Sequence, residues 1–248
     1  VAARGRAHLF ALRDERERAA AALWPQARRW AAVLGSLPFV RMVAVTGSLA
    51  VGNSPPADDI DYLIVTAPGR VWLARALVIA GVRLARFFRA DLCPNYLLAE
   101  SALVQVRRTL FTAHDLVQMV PLVGHSLYAQ MRAVNDWSRE YLPNADGPLL
   151  ALPEHQPGRL ARWLQHTGER LLSGALGERL EHWERRRKLR KFAPAAARAG
   201  EAAQLDADHV KGHFQDYGGP VMEKYRERLE AGGAGNGKRE TGSGERET

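Results

Sequence analysis

The chain has 248 residues, 46% hydrophobic and 25% charged, which excludes a disordered or fibrous protein and allows one large domain or two small ones. Its formal net charge of +8 suits a polyanionic ligand such as a nucleotide, a nucleic acid or an anionic lipid, although the arginines are scattered, as expected of solvated helix faces. The single cysteine, Cys93, excludes a disulfide framework and a zinc-finger spacing and points to a reducing compartment. No apolar leader opens the sequence VAARGRAHLF, so a cytoplasmic location is expected.

Residues 5–34 carry Leu9, Leu12, Leu23, Trp24, Ala27, Trp30, Ala31 and Leu34 at helical spacing, with charged residues between them, and Gly35 and Pro38 punctuate the end. Phe39 to Thr46 is apolar and β-branched, the pattern of a buried strand, and Ile60 to Thr66 is a second. Gly52, Asn53, Ser54, Pro55 and Pro56 form the loop between them. After the Pro68-Gly69 turn, Val71 to Arg89 reads as an amphipathic helix; Arg75, Arg83 and Arg86 argue against a membrane span, and no membrane partner is expected. Asp91 to Leu98 predicts a third strand, with Pro94 demanding an edge position or irregular pairing, and Val104 to Phe111 a fourth.

From Thr112 the pattern turns helical. Thr112 to Asp115 resembles a capping box that opens a helix over Leu116 to Leu122. Leu127 to Trp137 suggests the next helix, and a Pro/Gly-rich linker follows at 147–158. Residues 159–192 are strongly helical, with Gly168, Gly174 and Gly177 as points at which the helix could divide, and Asp206 to Glu230 reads as a short helical end. From Ala231 the composition lacks apolar anchors and predicts disorder. The expected organisation is an α/β (α+β) core with a mixed sheet over residues 1–111, a helical region over 112–230 and a disordered tail over 231–248.

The chemistry concentrates in Val43 to Val65. Asp59 and Asp61 lie two apart at the start of a strand and so share one face, with Ile60 turned into the core. Two adjacent carboxylates repel unless a cation neutralises them, and Mg²⁺ is the usual hard partner that also bridges phosphates. Gly47-Ser48 leaves the preceding strand at a turn, where glycine lets backbone N–H groups approach an anion and serine adds a hydroxyl donor. Metal carboxylates beside a donor-rich turn are what phosphoryl or nucleotidyl transfer requires.

Gly47-Ser48, then Gly52, then Asp59-Ile60-Asp61 followed by Tyr62-Leu63-Ile64-Val65 resembles the signature of the nucleotidyltransferase superfamily related to DNA polymerase β, in particular its small bacterial members. The resemblance covers about Phe39 to Leu98. It implies a Mg²⁺ site (Mn²⁺ as a substitute) at Asp59 and Asp61, contacts from Gly47 and Ser48 to the triphosphate of an NTP, with ATP the first choice, and attack of an acceptor hydroxyl on the α-phosphorus with release of pyrophosphate. It also implies a third carboxylate on a later strand. On Asp91 to Leu98, Asp91, Cys93 and Asn95 share one face by simple alternation; the offset to Tyr96-Leu97-Leu98 favours Asn95 for that position and chemistry favours Asp91.

Other constellations carry less. His114-Asp115 is similar to the paired ligands of metal phosphohydrolases, but a capping role accounts for it more simply. Arg185 to Lys188 is the densest basic cluster, and Glu178, Glu181 and Glu184 just upstream suggest ion pairs along the helix, which makes nucleic acid the less favoured partner. Lys211-Gly212-His213 and the tryptophans Trp163 and Trp183 read as surface and core respectively, and Cys93 as a small buried hydrophobe. The expected function is a Mg²⁺-dependent transferase that moves a nucleoside monophosphate to a hydroxyl on a small molecule, protein or RNA. A nucleotide-binding protein with a degenerate third position is the alternative, and the acceptor is not legible.

Overall fold

The computed structural model describes residues 8–199, 204–211 and 218–236. Helix α1 (His8–Gly35) precedes strand β1 (Val40–Val45), the one-turn helix α2 (Gly47–Ala50) and strand β2 (Ile60–Thr66). Helix α3 (Val71–Phe87) and strand β3 (Leu92–Ala99) follow, then a 3-10 turn at Glu100–Ala102, helix α4 (Leu110–Gln118), strand β4 (Val120–Val123), and helices α5 (His125–Val134) and α6 (Ser138–Tyr141). The C-terminal part consists of helices α7 (Arg159–Leu172) and α8 (Ala175–Ala199), strand β5 (His209–Lys211) and helix α9 (Gly218–Asn236).

Among the described residues, five strands form one mixed sheet in the order β4-β1-β2-β3-β5. Only β2 and β3 pair parallel, joined by the α3 crossover; the other neighbours are antiparallel. Period-two alternation sorts the side chains onto two faces. Val43, Val45, Ile60, Tyr62, Ile64, Leu97 and Val210 pack under α1 and α3 with Trp30, Leu34, Trp72, Val78 and Val82. Met42, Ala44, Leu63, Val65 and Leu98 pack on the other face under α4 and α5 with Ala113, Leu116, Leu127 and Met131. The expected α/β core with a mixed sheet and a largely helical C-terminal part is thus present, as a three-layer arrangement.

Several elements differ from the sequence reading. Val104 to Phe111 is not a strand: Gln105, Arg107 and Arg108 break the apolar alternation, and the loop is pinned where Gln105 N donates to Asn135 Oδ1 (2.7 Å). Helix α4 begins at Leu110, and its cap is Thr109, whose hydroxyl accepts from Thr112 N (3.2 Å), one turn earlier than expected. The helix predicted to reach Leu122 stops at Gln118, and Val120–Val123 becomes edge strand β4, where Pro121 is tolerated. The segment from Asp206, expected to be helical, contributes β5 before α9. The long helix over 159–192 divides at Ser173-Gly174, as its glycines suggested. The expected tail starts inside α9, and residues 237–248, like 5–7, Gly212 and His213, lie outside the described residues.

Helix α7 docks through polar groups. Gln165 Nε2 donates to the carbonyls of Gly35 (3.3 Å), Leu37 (3.1 Å) and Val40 (3.3 Å), while Leu160, Trp163, Leu164 and Leu171 face outward and are exposed. Among the described residues no helix is long and apolar enough to cross a membrane.

Candidate functional site

The site forms where β1 ends beside the start of β2. Thr46 N donates to the Asp61 carbonyl (3.0 Å), the last rung before the chain turns into α2. Gly47 makes that turn with φ +66°, a left-handed conformation that glycine adopts without strain. A second constraint acts on the same residue. A Cβ added to Gly47 would lie 2.4 Å from Asp61 Oδ2, so the carboxylate sits directly against the backbone of the turn. The sequence signature is therefore a contact: glycine is required at 47 because aspartate occupies the space beside it.

Ser48 faces the loop. Its hydroxyl donates to Asp58 Oδ2 and lies 3.2 Å from Ser54 Oγ, itself fully buried, and Asn53 N donates to the Ser48 carbonyl (2.9 Å). Arg16 Nη1 on α1 donates to Asn53 Oδ1 (3.3 Å), which ties this loop to the first helix. Asp58 thus orients the hydroxyl of Ser48.

Asp59 and Asp61 flank Ile60, which is fully buried in the core, as the alternation predicted. They do not stand alone. Asp59, Asp61 and Cys93 each offer one ligand atom, and these atoms lie within 4.8 Å of one another, all three residues half-buried. Cys93 arrives there because β2 and β3 run parallel with Asp61 opposite Cys93. Burial pushes its thiol well above the usual range, with the charges of Asp61 and Asp59, a hydrogen bond to Asp61 and the charge of Asp91 acting in the same direction. The proton therefore stays on sulfur, and the thiol donates to Asp61.

The remaining sequence candidates are placed differently. The Asp91 carbonyl accepts from Ile60 N (3.0 Å) just ahead of β3; its side chain is exposed, and its charge reaches Cys93 without its joining the ligand group. The pairing of β2 with β3 jumps from Tyr62 opposite Pro94 to Leu63 opposite Tyr96, leaving Asn95 as the extra residue of a bulge. Irregular pairing at Pro94 was expected; its consequence, that alternation does not carry from Cys93 to Asn95, was not. Cys93 could have been found from the sequence, since it shares a face with Asp91, but a search for oxygen ligands passes over it.

One further acid faces this region. Burial among its neighbours pushes the Asp115 carboxyl on α4 up to about 6, with the charge of Lys211 on β5 opposing the rise and that of Asp61 adding to it, although much of its own surface remains open to solvent. His114 points elsewhere, its Nδ1 3.0 Å from Gln118 Nε2. Two members of the basic cluster on α8 are engaged along its helix: Arg187 and Lys188 lie 2.6 and 3.8 Å from Glu184.

The donor set fits a hard divalent cation in part. Two carboxylates suit Mg²⁺ shared with phosphate oxygens, whereas a thiol in third place does not. No protein-family model matches the chain, and no curated protein matches it. A solved structure described as "Crystal structure of the toxin-antitoxin with AMP-PNP" is similar to it at 16% identity over 46% of this chain and 90% of that one, with a TM-score of 0.31.

Proposed function

We propose that this protein is a divalent-cation-dependent nucleotidyltransferase that uses an NTP, with ATP the first choice, and transfers its nucleoside monophosphate to an acceptor hydroxyl. The observation that carries the reading is the contact of the Asp61 carboxylate with the Gly47 turn, inside a group that includes Asp59. It brings the anion-binding backbone and the cation-binding carboxylates to one point, the juxtaposition that a metal-triphosphate needs. Asp59 and Asp61 would hold Mg²⁺, which supplies neutralisation of phosphate charge. The N–H groups of Gly47 and Ser48 bind the phosphates, and Asp58 with Ser54 sets the Ser48 hydroxyl. Asp91 is assigned to the acceptor side and Asn95 to a lesser role there, so Asp91→Asn lowers turnover more than Asn95→Ala.

The test is transfer of label from α-phosphate-labelled ATP. The variant Asp59→Asn/Asp61→Asn is expected to lose about 100-fold or more, because charge stabilisation by a bound metal is worth several kcal/mol. Transfer that survives in this variant refutes the assignment. A second reading has its own support: with a protonated thiol in third place, the site lacks a third hard ligand, as a protein that binds nucleotide without turning it over would. Mg²⁺-dependent stabilisation of the wild type by ATP with no transfer of label would select it.

A further inference from the structure

The group at the end of β2 and β3 pairs two hard oxygen donors with one soft sulfur donor. Chance proximity of acids on a loop does not account for it. Asp61 and Cys93 are direct partners across the parallel ladder, and the thiol is hydrogen-bonded to the carboxylate. The bulge at Asn95 lets Cys93 face the aspartates while Tyr96 and Leu98 farther along still pack on the sheet face under α4 and α5.

We infer that Asp59, Asp61 and Cys93 form a binding centre for a borderline or soft divalent cation of the zinc class, one that competes with Mg²⁺ for the two aspartates. Zinc takes sulfur at about 2.3 Å and oxygen at about 2.0–2.2 Å in a tetrahedron, so its ligand atoms stand about 3.3–3.8 Å apart. The three atoms here, within 4.8 Å of one another, reach that spacing by rotamer adjustments of well under an ångström each around the ion. Three protein ligands leave the fourth position open, the arrangement of an exchangeable centre. On binding, a metal–sulfur bond forms as the sulfur–hydrogen bond breaks, and the proton passes to solvent. No electron is transferred. Mg²⁺ cannot use the sulfur, so the same aspartates serve two cations of different hardness, and the thiol sets which of them holds the site. The inference shares its aspartates with the proposed transferase reading, but its readout comes from sulfur and needs no transfer.

The chain has one cysteine, so a thiolate-to-metal signal has one source. The full chain is titrated with Cd²⁺ and with Co²⁺ alone, and the near-ultraviolet sulfur-to-metal charge-transfer band is followed. One ion per chain with a band is expected for the wild type. Cys93→Ser and Cys93→Ala give no band, and Asp59→Asn/Asp61→Asn binds at least about tenfold more weakly, the least that loss of even an outer partner costs a metal site. Circular dichroism and melting curves establish that each variant is folded. A wild type without a band at saturating Cd²⁺ overturns the inference. So does a band of undiminished affinity in the aspartate variant, which would mean that the cysteine binds alone, or loss of the band to Mg²⁺ at equal concentration. ATP binding with Mg²⁺ is measured separately on the wild type: its absence would defeat the transferase reading and leave the charge-transfer result standing.

Discussion

Replacing Gly47 with alanine tests whether its glycine is there for the turn, for Asp61, or for both. The turn alone sets one cost. Alanine at φ +66° is in the left-handed region, which disfavours L residues by about 1–2 kcal/mol. For a chain of this size that lowers the melting temperature by about 2–8 °C. Gly69 is the internal control: it has the same φ of +66°, and an added Cβ there meets nothing within 4 Å. Gly69→Ala should therefore show the conformational cost and nothing more. At Gly47 the new Cβ falls 2.4 Å from Asp61 Oδ2, about 1 Å short of an ordinary contact, so the carboxylate must move by about that distance. A displacement of 1 Å at a reacting centre costs on the order of 100-fold. The expected result is a similar fall in melting temperature for both variants, with divalent-cation binding by titration and any transfer of labelled ATP reduced in Gly47→Ala alone. If both variants bind the cation as the wild type does, the contact with Asp61 has no functional weight and the reasoning fails.

Two glutamates at the helical end should respond to pH with opposite signs. Burial alone would raise the Glu169 carboxyl, but hydrogen bonds from Arg41 (2.6 and 3.2 Å) and Phe39 N (2.7 Å), with the Arg41 charge, hold it below its ordinary value. The stability it contributes is present above the unfolded-state pKa and is lost as pH falls through the folded one, so the wild-type advantage over Glu169→Gln in urea unfolding should grow as pH rises. Glu181 is the reverse: burial outweighs the bonds it accepts from Trp72 N (2.9 Å) and Leu73 N (2.7 Å), and its carboxyl lies above its ordinary value. The folded state holds that proton longer, so the wild-type advantage over Glu181→Gln should shrink as pH rises through the raised value, and slopes of the same sign for the two variants would contradict both assignments. Glu181→Ala strands two N–H groups at the start of α3 and should cost about 2–4 kcal/mol at neutral pH, measured by the same unfolding. Asp115, pushed up to about 6, should make stability fall slightly as pH rises from about 4 to about 6, a slope that Asp115→Asn removes; its exposure to solvent keeps the effect small.

What the sequence disclosed and what it hid divide along the range of the interaction that decides each feature. β1 and β2 were legible because each is a run of buried apolar residues, and Asp59 and Asp61 because alternation about Ile60 is local. The strands β4 (Val120–Val123) and β5 (His209–Lys211) were not, since they are too short to display a period and exist as strands only because β1 and β3 offer free edges. The third position of the site belongs to this second kind. Which residue of β3 meets Asp61 is a question of register between two strands separated by the whole of α3. Counting outward from Tyr96-Leu97-Leu98 assumes an unbroken pleat, and Pro94, which cannot donate to a ladder, breaks it. The extra residue that accommodates the break is Asn95, so every inference carried across it changes face. Counting from the other end, from Ile60 opposite Leu92, crosses no break and arrives at Cys93. An oxygen-rich site was expected there; the fold supplies a sulfur instead, from a residue whose position only the register fixes.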